Sequence, residues 1–131
     1  MSNYKYTESN FENAVIKLFE NQNYIYECGY DIHRTKEEIL LINDFKNYLF
    51  RRYASLNLHD DEINNVIHNL LFAKGISLYS TMRLTLNELR KGVVIDRSQY
   101  GLSNELIEYF DFDNVDNNIF KVVNQFEVKD Y

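Results

Sequence analysis

The chain has 131 residues, a formal net charge of −6 and hydrophobic residues at 45% of its positions, a balance typical of globular proteins. No apolar run approaches the roughly 20 residues of a membrane-spanning helix, and a single cysteine excludes an intrachain disulfide framework. The acidic charge argues against a free-standing nucleic-acid-binding protein, whose affinity usually rests on a basic surface. We expect one domain over residues 1–131, no membrane association and a cytoplasmic location, since the first residues carry no secretory signal pattern.

The first predicted element is a helix that begins at Ser9. Ser9 and Glu12 have the spacing of a capping box, in which each side chain satisfies a backbone donor of the first turn. Apolar residues then recur with helical spacing at Phe11, Ala14, Val15, Leu18 and Phe19. The helix is expected to end near residues 21–23, and the β-prone run 24–28 predicts a first strand.

The next two predicted elements are also helices. Thr35 and Glu38 have capping-box spacing, and the amphipathic segment from 36 to about 55 predicts a long second helix. A third helix is expected after Asp60–Asp61, because these carboxylates suit the positive N-terminal end of a helix dipole. Gly75 marks its expected end.

A fourth helix is predicted over residues 77–91 and closed by Gly92. Its apolar side chains are expected to face inward, namely Leu78, Met82, Leu86 and Leu89. After Gly92 the apolar period changes, and short strands are predicted within 93–95, 106–112 and 119–128. About four helices followed by two or three strands predict an α+β fold.

One triplet has the residue types of a metal-dependent nuclease. If residues 119–128 form a strand, Glu127 and Lys129 project from one face. Together with Asp113 they supply carboxylates that can hold a divalent cation and a lysine that can polarise the attacking water. Acid-x-base triplets are also common on solvated strand faces, which is the simpler interpretation.

Other motifs for metal binding fail on their spacing. The acidic turn with Asp111, Asp113 and Asp116 does not fit a calcium loop, because Val115 and Val122 stand where that loop needs an oxygen ligand and a glutamate. The three histidines lack the i, i+4 spacing of a zinc metalloprotease helix.

The most specific pattern lies in residues 110–126, which read FDFDNVDNNIFKVVNQF. This string resembles the segment "DFDNPxNNxFxVVNQF" near the N-terminus of the restriction (R) subunit of type I restriction–modification enzymes. Residues 11–15, 23–32 and 82–94 resemble that family's opening helix, its "GY-x-Y … G-x-D-I" stretch and the end of a later helix. The similarity therefore covers the whole chain. Val115 stands where the family usually has proline.

The resemblance implies a large parent protein. Its parts would be an N-terminal nuclease domain of the PD-(D/E)xK type, an ATP-driven DNA translocase and a helical region that docks on the modification subunits. DNA would be its substrate, Mg²⁺ and ATP its cofactors, and the modification and specificity subunits its partners. In the family the catalytic aspartate and the Glu-x-Lys follow the "VVNQF" string. The resemblance therefore implies that this chain is the start of a restriction-endonuclease-like sheet, truncated before the catalytic motifs, inactive alone and without a cofactor of its own.

No catalytic residue is then expected within residues 1–131. Glu12 is one acid to consider, because nucleases of this fold sometimes use a carboxylate from the helix before the sheet to hold metal. Its spacing from Ser9 makes a capping role the simpler interpretation. Five arginines are candidates for contact with the DNA backbone, with a solvated helix face as the alternative: Arg51, Arg52, Arg83, Arg90 and Arg97.

Two other functions stay open from the sequence. The first is a non-catalytic protein-interaction module, since 11 tyrosines and 9 phenylalanines are many for this length and would give an aromatic-rich surface. The second is a minimal Mg²⁺-dependent nuclease that uses Asp113, Glu127 and Lys129.

Overall fold

The structure is a computed structural model that describes residues 7–72 and 75–129. Within these residues lie four α-helices, α1 (Glu8–Glu20), α2 (Ile42–Arg52), α3 (Asp60–Leu71) and α4 (Leu78–Lys91), and four short strands, β1 (Ile25–Cys28), β2 (Val93–Ile95), β3 (Glu105–Ile107) and β4 (Lys121–Asn124). This mixed architecture confirms the predicted α+β class. Over the same residues, no helix combines the length and apolar composition needed to cross a membrane.

The chain divides into two compact units. The first comprises Met1–Leu41 and Ile119–Tyr131, and the second comprises Ile42–Asn118. The second unit is therefore inserted, along the sequence, between two segments that together form the first.

β1 and β4 form a two-stranded parallel sheet in the first unit, with Ile25 opposite Lys121 and Cys28 opposite Asn124. Parallel strands need a long connection, and here the connection includes the whole second unit. α1 contacts both strands and buries Ile16. The amphipathic helix thus covers the sheet through one apolar side.

The N-terminal cap of α1 differs from the predicted one. Thr7 is the N-cap residue, and its hydroxyl accepts a hydrogen bond from the backbone N–H of Asn10 at 3.2 Å. The expected capping box between Ser9 and Glu12 is wrong, because the hydroxyl two residues upstream starts the helix earlier and leaves Ser9 inside the first turn. The predicted end of this helix and the strand after it are confirmed.

The second helix, α2, begins later than predicted. The Arg34 guanidinium donates to the carbonyl oxygens of Thr35 at 3.0 Å and Glu38 at 2.9 Å. The carbonyl of Lys36 accepts a hydrogen bond from the backbone N–H of Lys129 at 2.9 Å. In an α-helix each of these carbonyls would accept the N–H four residues later. Here the Thr35 carbonyl accepts the N–H of Glu38 at 3.1 Å, which closes a single turn, and the bonds to Arg34 and Lys129 take the place of further helical turns.

The core of the second unit is formed by α2, α3 and the β2–β3 pair. β2 and β3 are antiparallel, with Val93 opposite Ile107. The ring of Phe45 stacks on Tyr109 at a centroid distance of 5.5 Å. The buried hydrophobic side chains of this unit are Tyr48, Leu49, Ile63, Val66, Ile67, Ile95, Ile107 and Tyr109.

A buried ion pair joins α3 to the segment after β2. Nε of Arg97 donates to Oε2 of Glu62 at 2.8 Å, and both side chains are only 4% exposed. The same guanidinium donates to the carbonyl oxygen of Leu56 at 2.9 Å. Oε1 of Glu62 also accepts the backbone N–H of His59 at 3.1 Å. One carboxylate therefore fixes both the start of α3, where a helix was predicted, and the loop after β2.

The bounds of α4 agree with the prediction. The hydroxyl of Ser77 accepts a hydrogen bond from the N–H of Ser80 at 3.2 Å, and Gly92 follows the helix with a φ of 78°. A positive φ favours glycine at that position. The end of α3 is less well predicted, because the helix ends before Gly75, at Leu71.

The expected inward side of α4 is wrong for three of its four residues. Leu78, Met82 and Leu86 are 78%, 56% and 58% exposed, whereas Leu89 is half-buried, and no residue of the helix is fully buried. The less exposed side carries Leu89 and also Glu88, whose carboxylate accepts a hydrogen bond from the hydroxyl of Tyr109 at 2.8 Å. The carbonyl oxygen of Val66 lies 3.2 Å from the same hydroxyl, so the buried phenol has two acceptors.

The last two strands are shorter than predicted. β3 ends at Ile107 and β4 ends at Asn124, whereas strands were expected within 106–112 and 119–128. β4 ends where Gln125 adopts a φ of 51°, a left-handed conformation that cannot continue an extended strand.

The ion pair between Glu62 and Arg97 generates a stability prediction. Arg97→Met leaves a buried carboxylate without its charge partner, so we expect a loss of about 3–5 kcal/mol in the free energy of unfolding. The double variant Glu62→Gln/Arg97→Met should lose less, since no unpaired charge remains. Urea unfolding followed by circular dichroism measures both. Lys17→Met, at an exposed position of α1, is the control, and an equal effect of Lys17→Met and Arg97→Met would contradict the assignment.

Candidate functional site

Five polar side chains of the first unit meet near the ends of β1 and β4: Glu12, Tyr26, Tyr30, Asn124 and Gln125. We call them the α1–β4 cluster. The hydroxyl of Tyr26 donates to Oδ1 of Asn124 at 2.9 Å, and that of Tyr30 donates to Oε1 of Gln125 at 3.2 Å. The amide of Gln125 in turn donates to Oε1 of Glu12 at 3.1 Å. The cluster therefore ties α1 and the residues around β1 to the end of β4.

The backbone at Gln125 is held in place by a close approach. Its φ of 51° is a conformation that costs an L-residue about 1–2 kcal/mol. Gly29 is buried against this turn, and a Cβ at position 29 would press on the carbonyl oxygens of Asn124 and Gln125. The missing side chain at position 29 therefore permits the geometry of the cluster.

The hydrogen bonds of the cluster depend on the protonation state of its side chains. Loss of hydration raises the pKa of the Tyr26 phenol above its usual range, and the neighbouring Cys28 adds to the rise. The phenol accordingly stays protonated at neutral pH and remains a donor to Asn124. Glu12, considered as a metal-holding acid or a capping acid, accepts hydrogen bonds from the Gln125 amide, while Thr7 caps α1.

Glu127 and Lys129 lie after β4 and not within it. Lys36 forms a salt bridge with Glu127, and its hydrogen bond and charge hold the pKa of the Glu127 carboxyl below its usual range. The Arg34 guanidinium lies 3.6 Å from the ring centroid of Phe126 and donates to the carbonyl oxygen of Glu127 at 2.6 Å. These contacts fasten residues 126–129 to the turn that precedes α2.

Asp113 lies in the other unit, in a turn organised by Asp111. The carboxylate of Asp111 accepts the backbone N–H of Asp113 at 3.1 Å and of Asn114 at 2.8 Å, and the side-chain amide of Asn117 at 2.9 Å. Asp113 itself is exposed. Within residues 7–72 and 75–129, no group of three or more histidines, cysteines and acids is arranged to hold a metal ion.

Three of the five arginines considered for DNA contact are engaged within the second unit. Arg51 donates to the carbonyl oxygen of Asn117. Nε of Arg52 lies 3.4 Å from a carboxylate oxygen of Asp111, and its side chain is 15% exposed. Arg97 is buried in the ion pair with α3.

Arg83 and Arg90 differ from the other three. Both are exposed on α4, and among the described residues neither guanidinium has a hydrogen bond or an ion pair. They are the two candidates whose side chains the fold leaves available for an outside partner.

Two organising features of the structure were not predicted from the sequence. The role of Asp111 has a local signal, because backbone donors two and three residues downstream of an aspartate are typical of an Asx turn. The α1–β4 cluster has no such signal, since Gln125 lies 95 residues from Tyr30 and 113 from Glu12 in the sequence. Its polar residues Asn124 and Gln125 nevertheless fall inside the string that carries the family resemblance.

Comparison with known proteins agrees with that string. The family described as type I restriction enzyme R protein N terminus matches residues 5–131. The match includes all helices and strands of both units. Searches of the curated proteins and of the solved structures found no match.

The turn at Asp111 generates a prediction of pH dependence. The backbone N–H of Asn114 and the amide of Asn117 hold the pKa of Asp111 below its usual range, with Arg52 adding to the effect. A lowered folded-state pKa stabilises the fold above the unfolded value of about 3.9, and the stabilisation is lost as pH falls through the folded value. We therefore expect Asp111→Asn to be less stable than the wild type at neutral pH, with a difference that shrinks in acid.

Urea unfolding of both proteins at about pH 7 and about pH 3, on either side of the carboxyl titration, measures this difference. Asp113→Asn is the matched control, since its exposed carboxylate organises no turn and its loss should change stability little at either pH. A destabilisation by Asp111→Asn of the same size at both pH values would contradict the electrostatic explanation.

Proposed function

Because the chain belongs to the family of type I restriction enzyme R protein N termini, we propose that it forms the leading part of the nuclease region of an R subunit. Its own role in this proposal is structural. The observation that carries the proposal is the family match over residues 5–131, which includes the string at 110–126. The parallel pairing of β1 with β4 supports it, since this pair would begin the sheet of the nuclease.

The contacts of the first unit suggest how it acts as a scaffold. The α1–β4 cluster fixes the end of β4, and Arg34 and Lys36 hold the residues that follow. Catalytic groups need to be held within about 0.5 Å of their working geometry, and rigid neighbouring elements provide that precision. In this proposal the first unit sets the position and direction of the chain that leaves the sheet.

The wider activity is proposed for the whole R subunit. It would cleave foreign DNA in the cytoplasm after ATP-driven translocation, with Mg²⁺ as the nuclease cofactor and the modification and specificity subunits as partners. The Mg²⁺ site of the nuclease is proposed to lie in another part of the R subunit, and this chain is proposed to have no cofactor of its own.

One observation weighs against a minimal nuclease of Asp113, Glu127 and Lys129. Glu127 forms an exposed salt bridge with Lys36 and lies beyond the strand that was expected to present it. Its carboxylate is therefore paired with a lysine and is not presented from a strand face beside Lys129, as the hypothesis needs.

Cleavage of circular DNA tests the scaffold against the minimal nuclease. We expect no Mg²⁺-dependent cleavage by this chain alone, and ATP-dependent cleavage by the complete R subunit assembled with its modification and specificity subunits. In the assembled enzyme, Gly29→Ala should lower cleavage and leave ATP hydrolysis unchanged, because the added Cβ displaces the end of β4 only. Lys129→Met should leave both activities unchanged. Cleavage by the chain alone that Lys129→Met abolishes would overturn the proposal in favour of the minimal nuclease.

A protein-interaction module is the second candidate function. The apolar side of α4 favours it, since Leu78, Met82 and Leu86 are exposed together. Sedimentation over a hundredfold range of concentration separates the two candidates. The scaffold proposal expects a constant mass of one chain, 15.7 kDa. A mass that rises with concentration, and that Leu78→Ser/Met82→Ser returns to one chain, would instead assign the function to this surface.

A further inference from the structure

α4 carries two aligned cations. Arg83 and Arg90 are seven residues apart, which is close to two helical turns and places them on one side of the helix about 10 Å apart. Both are exposed, and Lys91 lies beside Arg90. Since the chain as a whole has a net charge of −6, this helix is a local exception to its acidic character.

No acidic residue of α4 opposes these charges. Its one acid, Glu88, lies on another side of the helix and accepts the hydroxyl of Tyr109. The cationic side also carries hydrogen-bond donors, because Tyr79 and Asn87 fall within the same sector as Arg83 and Arg90. We call Tyr79, Arg83, Asn87 and Arg90 the α4 ridge.

Three residues of the α4 ridge, Tyr79, Arg83 and Asn87, line a groove of about 770 Å³ in the second unit, and the other lining residues are Gly75, Ile76, Ser80 and Leu84. Tyr79, Ser80, Arg83 and Asn87 contribute to its wall, and Tyr79 is 74% exposed. Phenol and seryl hydroxyls, a side-chain amide and guanidinium groups are the groups that proteins use to contact phosphate and sugar in nucleic acids. The apolar residues Leu78 and Met82 occupy the neighbouring side of the helix and are not needed for this contact.

We propose that the α4 ridge binds the sugar–phosphate backbone of duplex DNA. The inference rests on the proposed function, since it names the surface by which this part of an R subunit contacts its substrate. The two arginines leave the helix at positions about 10 Å apart, so their long side chains can reach phosphates on the two sides of a groove about 6 or 12 Å wide. Such contacts position a protein on DNA without reading its sequence.

The contacts of the other three candidate arginines explain why the proposal assigns the phosphate contacts to the α4 ridge. Arg51, Arg52 and Arg97 already satisfy carbonyl and carboxylate groups of the second unit, and recruiting them to phosphate would break those bonds. Arg83 and Arg90 have no such bond to lose among the described residues. The proposal therefore places the phosphate contacts on one helix of the second unit.

Fluorescence anisotropy tests the proposal with a duplex of two helical turns and this chain, titrated at several salt concentrations between about 50 and 200 mM. We expect weak binding with a steep salt dependence. Arg83→Gln/Arg90→Gln should lower the affinity at least about tenfold at the low-salt end, and reduce the slope of log K against log salt by about 2. Lys17→Gln/Lys46→Gln removes the same charge from other helices and should leave both quantities nearly unchanged.

Three outcomes would overturn the proposal. The first is no binding by the wild type, and the second is an equal loss in the two double variants, which would show a diffuse charge effect. The third is an unchanged DNA affinity with a concentration-dependent mass that Arg83→Gln/Arg90→Gln alters, which would assign the ridge to a protein partner. None of these outcomes changes what is expected in the cleavage assay of the assembled enzyme. The DNA-binding proposal for the α4 ridge can therefore fail while the proposed function stands, and the two failures are distinguishable.

Discussion

The parallel pairing of β1 with β4 is the constraint on which the rest of the structure depends. Two parallel neighbours cannot be joined by a tight turn, and here Ile25 pairs with Lys121 only after the chain has formed a second compact unit. Pairing across so long a segment costs loop-closure entropy, which must be offset by contacts at the join itself. The α1–β4 cluster and the bonds from Arg34 and Lys36 supply such contacts, because each links the N-terminal segment to residues 119–129. The contacts of the candidate site thus also hold the two sequence segments of the first unit together.

Local signals predicted the elements whose ends are set locally. Acids at the start of α3 and glycine after α4 act within one turn of the helix, and both predictions are confirmed. Where two hydroxyls compete, as Thr7 and Ser9 do at α1, spacing alone does not decide which one starts the helix. The start of α2 and the rotation of α4 depend on partners far away in the sequence. The backbone N–H of Lys129 donates to the carbonyl of Lys36 in the turn before α2, and the hydroxyl of Tyr109 donates to Glu88 of α4. Neither contact is visible as a pattern of neighbouring residues in the sequence.

In the candidate site, the sequence indicates the type of each side chain and the structure shows its partner. Glu12, Glu127 and the five arginines are polar groups that lie at the surface or in buried networks. The sequence pattern does not indicate what each of them binds. Glu127 pairs with Lys36, and Glu12 with an amide from the far end of the chain, so neither is an unassigned acid. Among the arginines, burial and internal bonds separate Arg97 from Arg83, although the two are equivalent in the sequence.

The overall acidic charge and a DNA-binding helix are compatible once screening is considered. At physiological ionic strength the Debye length is about 8 Å, so acids farther than this from α4 contribute little to the potential at its surface. Contact with phosphate then depends on the charges within that radius, and on α4 these are Arg83, Arg90 and Lys91 with Glu88 turned away. Net charge instead governs the approach of the free chain at long range and slows it. An acidic chain with a basic ridge is therefore suited to DNA that is already close to it, which is the situation that the proposed contact requires.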